Sequence, residues 1–257
     1  MGISIPYHRI YRPFVQSIPN WEYSQWAYIP DHDYASSPLF YTRAFLLIQK
    51  DIQQLFEFIE PSDTNLQTYS YRIHQLFMRI CIEIEANFKA IFKENTYSKP
   101  ERFWNIIDYK KINTSHHLDA YSATFPVWDG IKNTYMPFKE WTNEHGRLQW
   151  YKDYNSTKHN RQDERKLANM ENLLNAFSAL FILLSSQFNT MSFEPGNNLL
   201  SVGTQDTYYQ GKEFGIGDYL LIEYPDNWKE EEKYEFDWNN IKSKPEKFQK
   251  FNYDELV

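Results

Sequence analysis

One apolar stripe constrains this chain more than any other feature. Leu167, Met170, Leu173, Leu174, Phe177, Leu180, Phe181 and Leu184 recur three and four residues apart, which places them on one side of an α-helix. A stripe this wide must be covered by other elements. Two further stretches have the same spacing: Phe45, Ile48, Ile52, Leu55, Phe56 and Ile59, and then Ile73, Leu76, Phe77, Ile80, Ile84, Phe88 and Ile91. The first helix should start at Ser37 as cap with Pro38 at the first helical position, and end near Ile59 ahead of Pro61. The second should run from about Leu66 to Lys93. The third should start between Asp153 and Asp163 and continue to about Phe188. Three long helices with such faces make a three- or four-helix bundle.

The flanks read differently. Pro6, Pro13, Pro19, Pro30 and Pro38 prevent a long helix in residues 1–37, so this stretch reads as an extended arm. Tyr7, Tyr11, Phe14, Trp21, Trp26 and Tyr28 would anchor it. Residues 38–190 form the helical domain, interrupted by an irregular insertion at 108–146 and with short helices near Glu101–Ile107 and Phe138–Glu144. In the appendage, residues 191–257, Phe214 to Tyr224 reads as a strand. Period-two alternation through Lys233, Tyr234, Glu235, Phe236, Asp237 and Trp238 completes a hairpin over about Gly217–Trp238. The expected fold class is mainly α: a helical bundle with a small C-terminal antiparallel β-hairpin and an extended N-terminal arm.

Composition removes several function classes. Aromatic residues make up 18% of the 257, which is incompatible with disorder. Cys81 is the single cysteine, so disulfide frameworks and cysteine-based zinc sites are excluded, and its place between Ile80 and Ile82 predicts a buried, inert thiol. A net charge of −7 leaves no general polyanion-binding surface, so any nucleic-acid contact must be local. The chain has no 18-residue apolar run, and its N-terminal residues fit neither a signal peptide nor the myristoylation pattern, which Pro6 breaks. The expectation is a cytoplasmic protein without membrane contact.

The densest chemistry lies in Asp153-Tyr154-Asn155-Ser156-Thr157-Lys158-His159-Asn160-Arg161, read as the start of the third helix. Free N–H groups and the positive end of the helix dipole attract anions at such a start. His159 has the chemistry of a general acid–base. Asn155 lies four residues before it, on the same helix side, where it could orient the imidazole. Lys158, Arg161 and Arg165 would contact a phosphate and stabilise charge on it. The plainer reading makes Asn155 and Ser156 ordinary caps and the cations a solvated helix end.

The Asn155-Ser156-Thr157-Lys158-His159 motif, followed by the apolar stripe and preceded by two long helices, resembles the HEPN superfamily of helical-bundle domains. The likeness covers roughly residues 38–190. Family ribonucleases carry an Arg a few residues before the His; here Asn155 stands in that place, an N-x-x-K-H pattern, and the nearest upstream arginine is Arg147. The resemblance implies metal-independent RNA cleavage leaving a cyclic phosphate, a toxin or defence role, and a two-fold homodimer pairing the motifs of two chains.

Other constellations are weaker. His116-His117-x-Asp119 is read as a surface loop whose side chains point apart, not a metal site. Glu83 and Glu85 lie on different sides of one helix. The glycines of Gly211–Gly217 precede a strand and are read as turn or bulge positions, not a phosphate loop. No cofactor and no metal is expected. Three functions remain open: a metal-independent endoribonuclease, a non-catalytic module holding RNA or a nucleotide phosphate, and an interaction subunit whose arm and hairpin bind a partner protein.

Overall fold

A computed structural model describes residues 2–194, 208–209 and 212–256. After an extended segment come α1 (Trp21–Ala27), α2 (Pro38–Phe56) and α3 (Tyr71–Glu94). Pro38 opens α2 as expected, but Ser37 is left-handed (φ 53°) and its side chain caps nothing. Ser70 does cap α3, its hydroxyl accepting the Ile73 N–H at 3.1 Å, so this helix starts later than Leu66. Next are α4 (Ile106–Lys110), α5 (Ile112–His116), β1 (Ser122–Thr124) and β2 (Thr134–Tyr135). The chain continues with α6 (Gln149–His159), α7 (Met170–Phe188), β3 (Tyr208–Tyr209), β4 (Lys212–Phe214), β5 (Leu221–Glu223) and α8 (Trp238–Ile241).

The expected third helix is thus two helices. Residues 160–169 between α6 and α7 form turns and a short 3₁₀ helix, Arg165–Leu167. Asn160 to Lys166 contains no apolar side chain, so a helix continued through it would have nothing to bury. Asn169 restarts the helix by accepting the Asn172 N–H at 3.0 Å. The Asn172 amide in turn donates to the Asp153 carboxylate (2.9 Å) and the Leu167 carbonyl (2.8 Å), tying α6 to α7.

α7 is the centre of the molecule, with every residue buried except Glu171 and Asn175. α3 runs parallel to it: Thr68 and Leu66 carbonyls accept the Met170 and Glu171 N–H groups at one end, and Gln187 donates to Asn87 at the other. α2 lies antiparallel, stacking Phe45 on Phe177 and Phe181 with ring centroids 5.3 and 5.9 Å apart. α6 is antiparallel to α3, with Tyr151 reaching Glu85 and Tyr154 packing edge-on to Phe77. Cys81, on α3, is fully buried, and burial raises its thiol pKa well above the ordinary value.

A five-stranded antiparallel sheet in the order β2-β1-β5-β4-β3 packs on α7. The close approach requires Gly215: a Cβ there would lie 2.3 Å from the Phe181 ring. The expected hairpin over Gly217–Trp238 is not formed. Instead β4 and β5 make the hairpin around Gly217 (φ 85°), and β1, from the 108–146 insertion, pairs β5 on its other edge. The 233–237 stretch is extended but pairs the N-terminal segment in parallel bridges, Tyr234 to Ile3 and to Phe14. Its alternation is real: Tyr234, Phe236 and Trp238 are buried, the charged residues between them half-buried. Gly211 lies outside the described residues.

The arm is built into the core. Arg9, Ile10, Phe14, Tyr28 and Tyr34 are buried, although Trp26, expected as an anchor, is 40% exposed. Arg9, fully buried, donates to Glu94 (2.6 Å), Gln187 (3.0 Å) and the Ser36 carbonyl (2.6 Å). The stretches 1–37, 38–190 and 191–257 therefore share one core, and the second and third also share one sheet. Among the described residues, no helix is long and apolar enough to cross a membrane.

Candidate functional site

The Asn155–His159 motif forms the last turns of α6, not the start of a helix. This reverses the electrostatic argument. A helix C-terminus presents unpaired carbonyls and the negative end of the dipole, which favour a cation such as Lys158 and disfavour an anion. The Asn155 amide donates back to the Tyr151 carbonyl at 3.1 Å. The Lys158 ammonium lies 5.2 Å from the Tyr154 ring centroid and 3.3 Å from its hydroxyl. His159 is exposed and makes no hydrogen bond among the described residues, so nothing orients its imidazole.

The chain beyond α6 carries the other two predicted residues to a different helix start. Arg161, exposed, lies against the first turn of α3, and the charge of exposed Arg165 also acts on His74 there. The Arg161 guanidinium is 5.9 Å from the centroid of the Tyr71 ring, itself 54% exposed. Beside them an open groove of about 510 Å³ is lined by Asp51, Tyr71, Arg72, His74, Arg79 and Ile82, among others. Arg72 and Arg79 share Asp51, at 2.5 and 2.7 Å. Arg72 and Arg79 thus bracket one aspartate, Arg161 lines the same groove, and the positive end of the α3 dipole adds to the same field.

His74 is the unusual member of this groove. Its Nε2 is buried without a hydrogen-bond partner. Burial first, then the charges of Arg161 and Arg165, hold its pKa below the ordinary imidazole value, so the ring is neutral at pH 7. A neutral imidazole with a free nitrogen among cations can donate to an anion or accept a proton. Sequence reasoning passed over His74 because it sits beside an apolar face. The available signal was its place between Arg72 and Arg79 on a helix.

The structure scatters the predicted set, with His159 alone and exposed at the end of α6. Arg161 lines the α3 groove with Arg165 close by, Lys158 packs on Tyr154, and Asn155 lines a separate cleft with Ile106 and Trp141. His116, expected on the surface, is fully buried: its ring nitrogens meet the Ser115 hydroxyl (2.7 Å) and the Arg9 carbonyl (2.9 Å), and burial takes its pKa down to about 3. His117 turns away and stacks on Trp228 with centroids 3.7 Å apart. Glu85 accepts the Tyr151 hydroxyl proton at 2.9 Å. Asp31, His32 and Asp33 cluster at the surface, where Lys247 pairs with both aspartates. No protein-family model matches the chain, and no curated protein or solved structure matches it significantly.

Proposed function

We propose that the groove at the start of α3 holds a phosphate group of RNA or of a nucleotide, with Arg161 and Arg165 as the contacting cations. The observation that carries this reading is the buried, unpartnered Nε2 of His74 lying among arginines. Arginine suits phosphate through its planar, multi-donor fork. The exposed Tyr71 ring offers a face for a base to stack on, as in single-strand binders. The antiparallel pairing of α2 and α3 supports the HEPN-like reading of the bundle.

Binding is favoured over cleavage by His159, which nothing holds. Cleavage stands as a second reading through His74, whose neutral ring is in the state a general base needs. A two-fold dimer would pair the exposed stripe of Tyr71, Gln75 and Ile82 on α3 and double the groove.

The test is titration of a labelled single-stranded RNA, in EDTA, across a series of salt concentrations. Arg161→Ala/Arg165→Ala should weaken binding about tenfold or more and reduce the salt slope by about two. The His74 ring signals in NMR should shift on adding AMP to wild type. Unchanged affinity in the double variant, with an unmoved His74 signal, would overturn the proposal. If the same reactions yield a 2′,3′-cyclic phosphate product that His74→Gln abolishes and His159→Ala does not, the site is catalytic. Light scattering that reports a monomer removes the dimer.

A further inference from the structure

The cleft between α4 and α6 is separate from the α3 groove, and we propose that it binds a small amphiphilic anion: an aromatic or aliphatic body bearing one carboxylate, sulfonate or phosphate. Its volume is about 580 Å³, within the usual range for small-molecule sites. Ile106, Ile107, Trp141, Leu148 and Tyr151 form the apolar walls. Lys110, His145, Arg147 and Lys152 stand around them, with Glu144 the one carboxylate in the lining. An apolar interior under a cationic edge selects a molecule with the opposite charge and a greasy body.

Three observations indicate a formed site. First, Trp141 is only 4% exposed, yet its indole N–H has no hydrogen bond among the described residues. The indoles of Trp104, Trp128 and Trp150 donate to protein oxygens, whereas those of Trp228 and Trp238, like that of Trp141, have no hydrogen bond among the described residues. The N–H itself is not sealed from solvent, so a ligand oxygen in the cleft would be able to accept from it. Second, Arg147 and Lys152 are exposed and form no ion pair or hydrogen bond among the described residues, so their charges are uncommitted. Third, the loop that carries Arg147 is held in place. Lys110 donates to the carbonyls of Asn143 and Glu144, and Gly146 passes so near Glu140 that a Cβ would lie 1.6 Å from its carbonyl oxygen.

The sulfonated dye 8-anilinonaphthalene-1-sulfonate and its uncharged relative N-phenyl-1-naphthylamine separate the two halves of the claim. Wild type should bind the sulfonate saturably at one site per chain and quench tryptophan emission. Arg147→Glu/Lys152→Glu should weaken the sulfonate about tenfold or more and leave the uncharged dye within about twofold, because only the edge charge has changed. Ile107→Glu, at a side chain already 77% exposed, should weaken both dyes without unfolding the chain. Circular dichroism on each variant verifies the fold. Failure of wild type to bind the sulfonate saturably would overturn the proposal, as would equal affinity in the folded double variant or an equal loss of both dyes there.

Discussion

α6 and α7 follow one another in the chain and are joined by the same Asp153–Asn172 hydrogen bond, yet they answer to different forces. In α7, 17 of 19 residues are buried, and α2, α3 and the sheet press on it from several sides. In α6, five of 11 are buried, and its last turn turns Lys158 and His159 outward. Nonspecific burial decides where α7 goes. The polar end of α6 goes where packing leaves it, and its chemistry depends on the neighbours met there. A buried apolar stripe therefore reveals its role locally, whereas a polar motif does not.

Two histidines give the sharpest form of this contrast. His116, buried and neutral, has a folded pKa of about 3 against 6.5 for an ordinary imidazole. On acidification the unfolded chain takes up this proton first. The stability His116 supports is complete above pH 6.5 and is lost as pH falls toward 3, by up to about 5 kcal/mol. Urea midpoints measured from pH 7.5 downward should show this loss in wild type and in His159→Ala alike, and a much flatter curve in His116→Gln. If His159→Ala flattens the curve instead, the assignment of buried and exposed roles is wrong.

Truncation inside α7 should rank next. Phe177→Ala removes a ring stacked on Phe45 and should cost about 3–5 kcal/mol, whereas Lys158→Ala at the end of α6 should stay within about 0.5 kcal/mol. Chemical denaturation giving similar losses for the two would erase the distinction between the helices. A smaller effect is expected where the sheet meets α7. Gly215→Ala forces a methyl against Phe181 and should cost about 1–3 kcal/mol, read as a lower melting temperature. The smallest stability effect should come from Arg161→Ala/Arg165→Ala, within about 0.5 kcal/mol, despite its loss of RNA affinity. A large drop in its melting temperature would mean that these arginines are structural.

The long helices were legible because periodicity and burial are the same fact seen twice. Phe45, Ile73 and Leu173 are fully buried in the folded chain and most of their stripe neighbours are buried with them, while Phe56, Ile59 and Leu167, at the stripe ends, are half-buried. The alternation at Tyr234, Phe236 and Trp238 was likewise readable as a half-buried extended segment. Its partner was not, because extended backbone pairs with whatever edge the fold brings near, and here that edge is the arm at Ile3 and Phe14. β1 was missed because Ser122, Ala123 and Thr124 are too short and too weakly patterned to signal a strand.

Sequence by itself thus determined that three apolar stripes are helical, that the thiol of Cys81 is hidden, and that residues 158–165 are rich in cations near a helix boundary. Only the tertiary structure decided that Lys158 stays at the end of α6 while Arg161 and Arg165 join the start of α3. The apolar-free run from Asn160 to Lys166 breaks the helix and swings Arg161 and Arg165 toward His74, over 85 residues earlier in the chain. The reason is physical: burial of apolar surface is set by a residue and its near neighbours along one helix, whereas an electrostatic site is a sum over charges that only folding brings together.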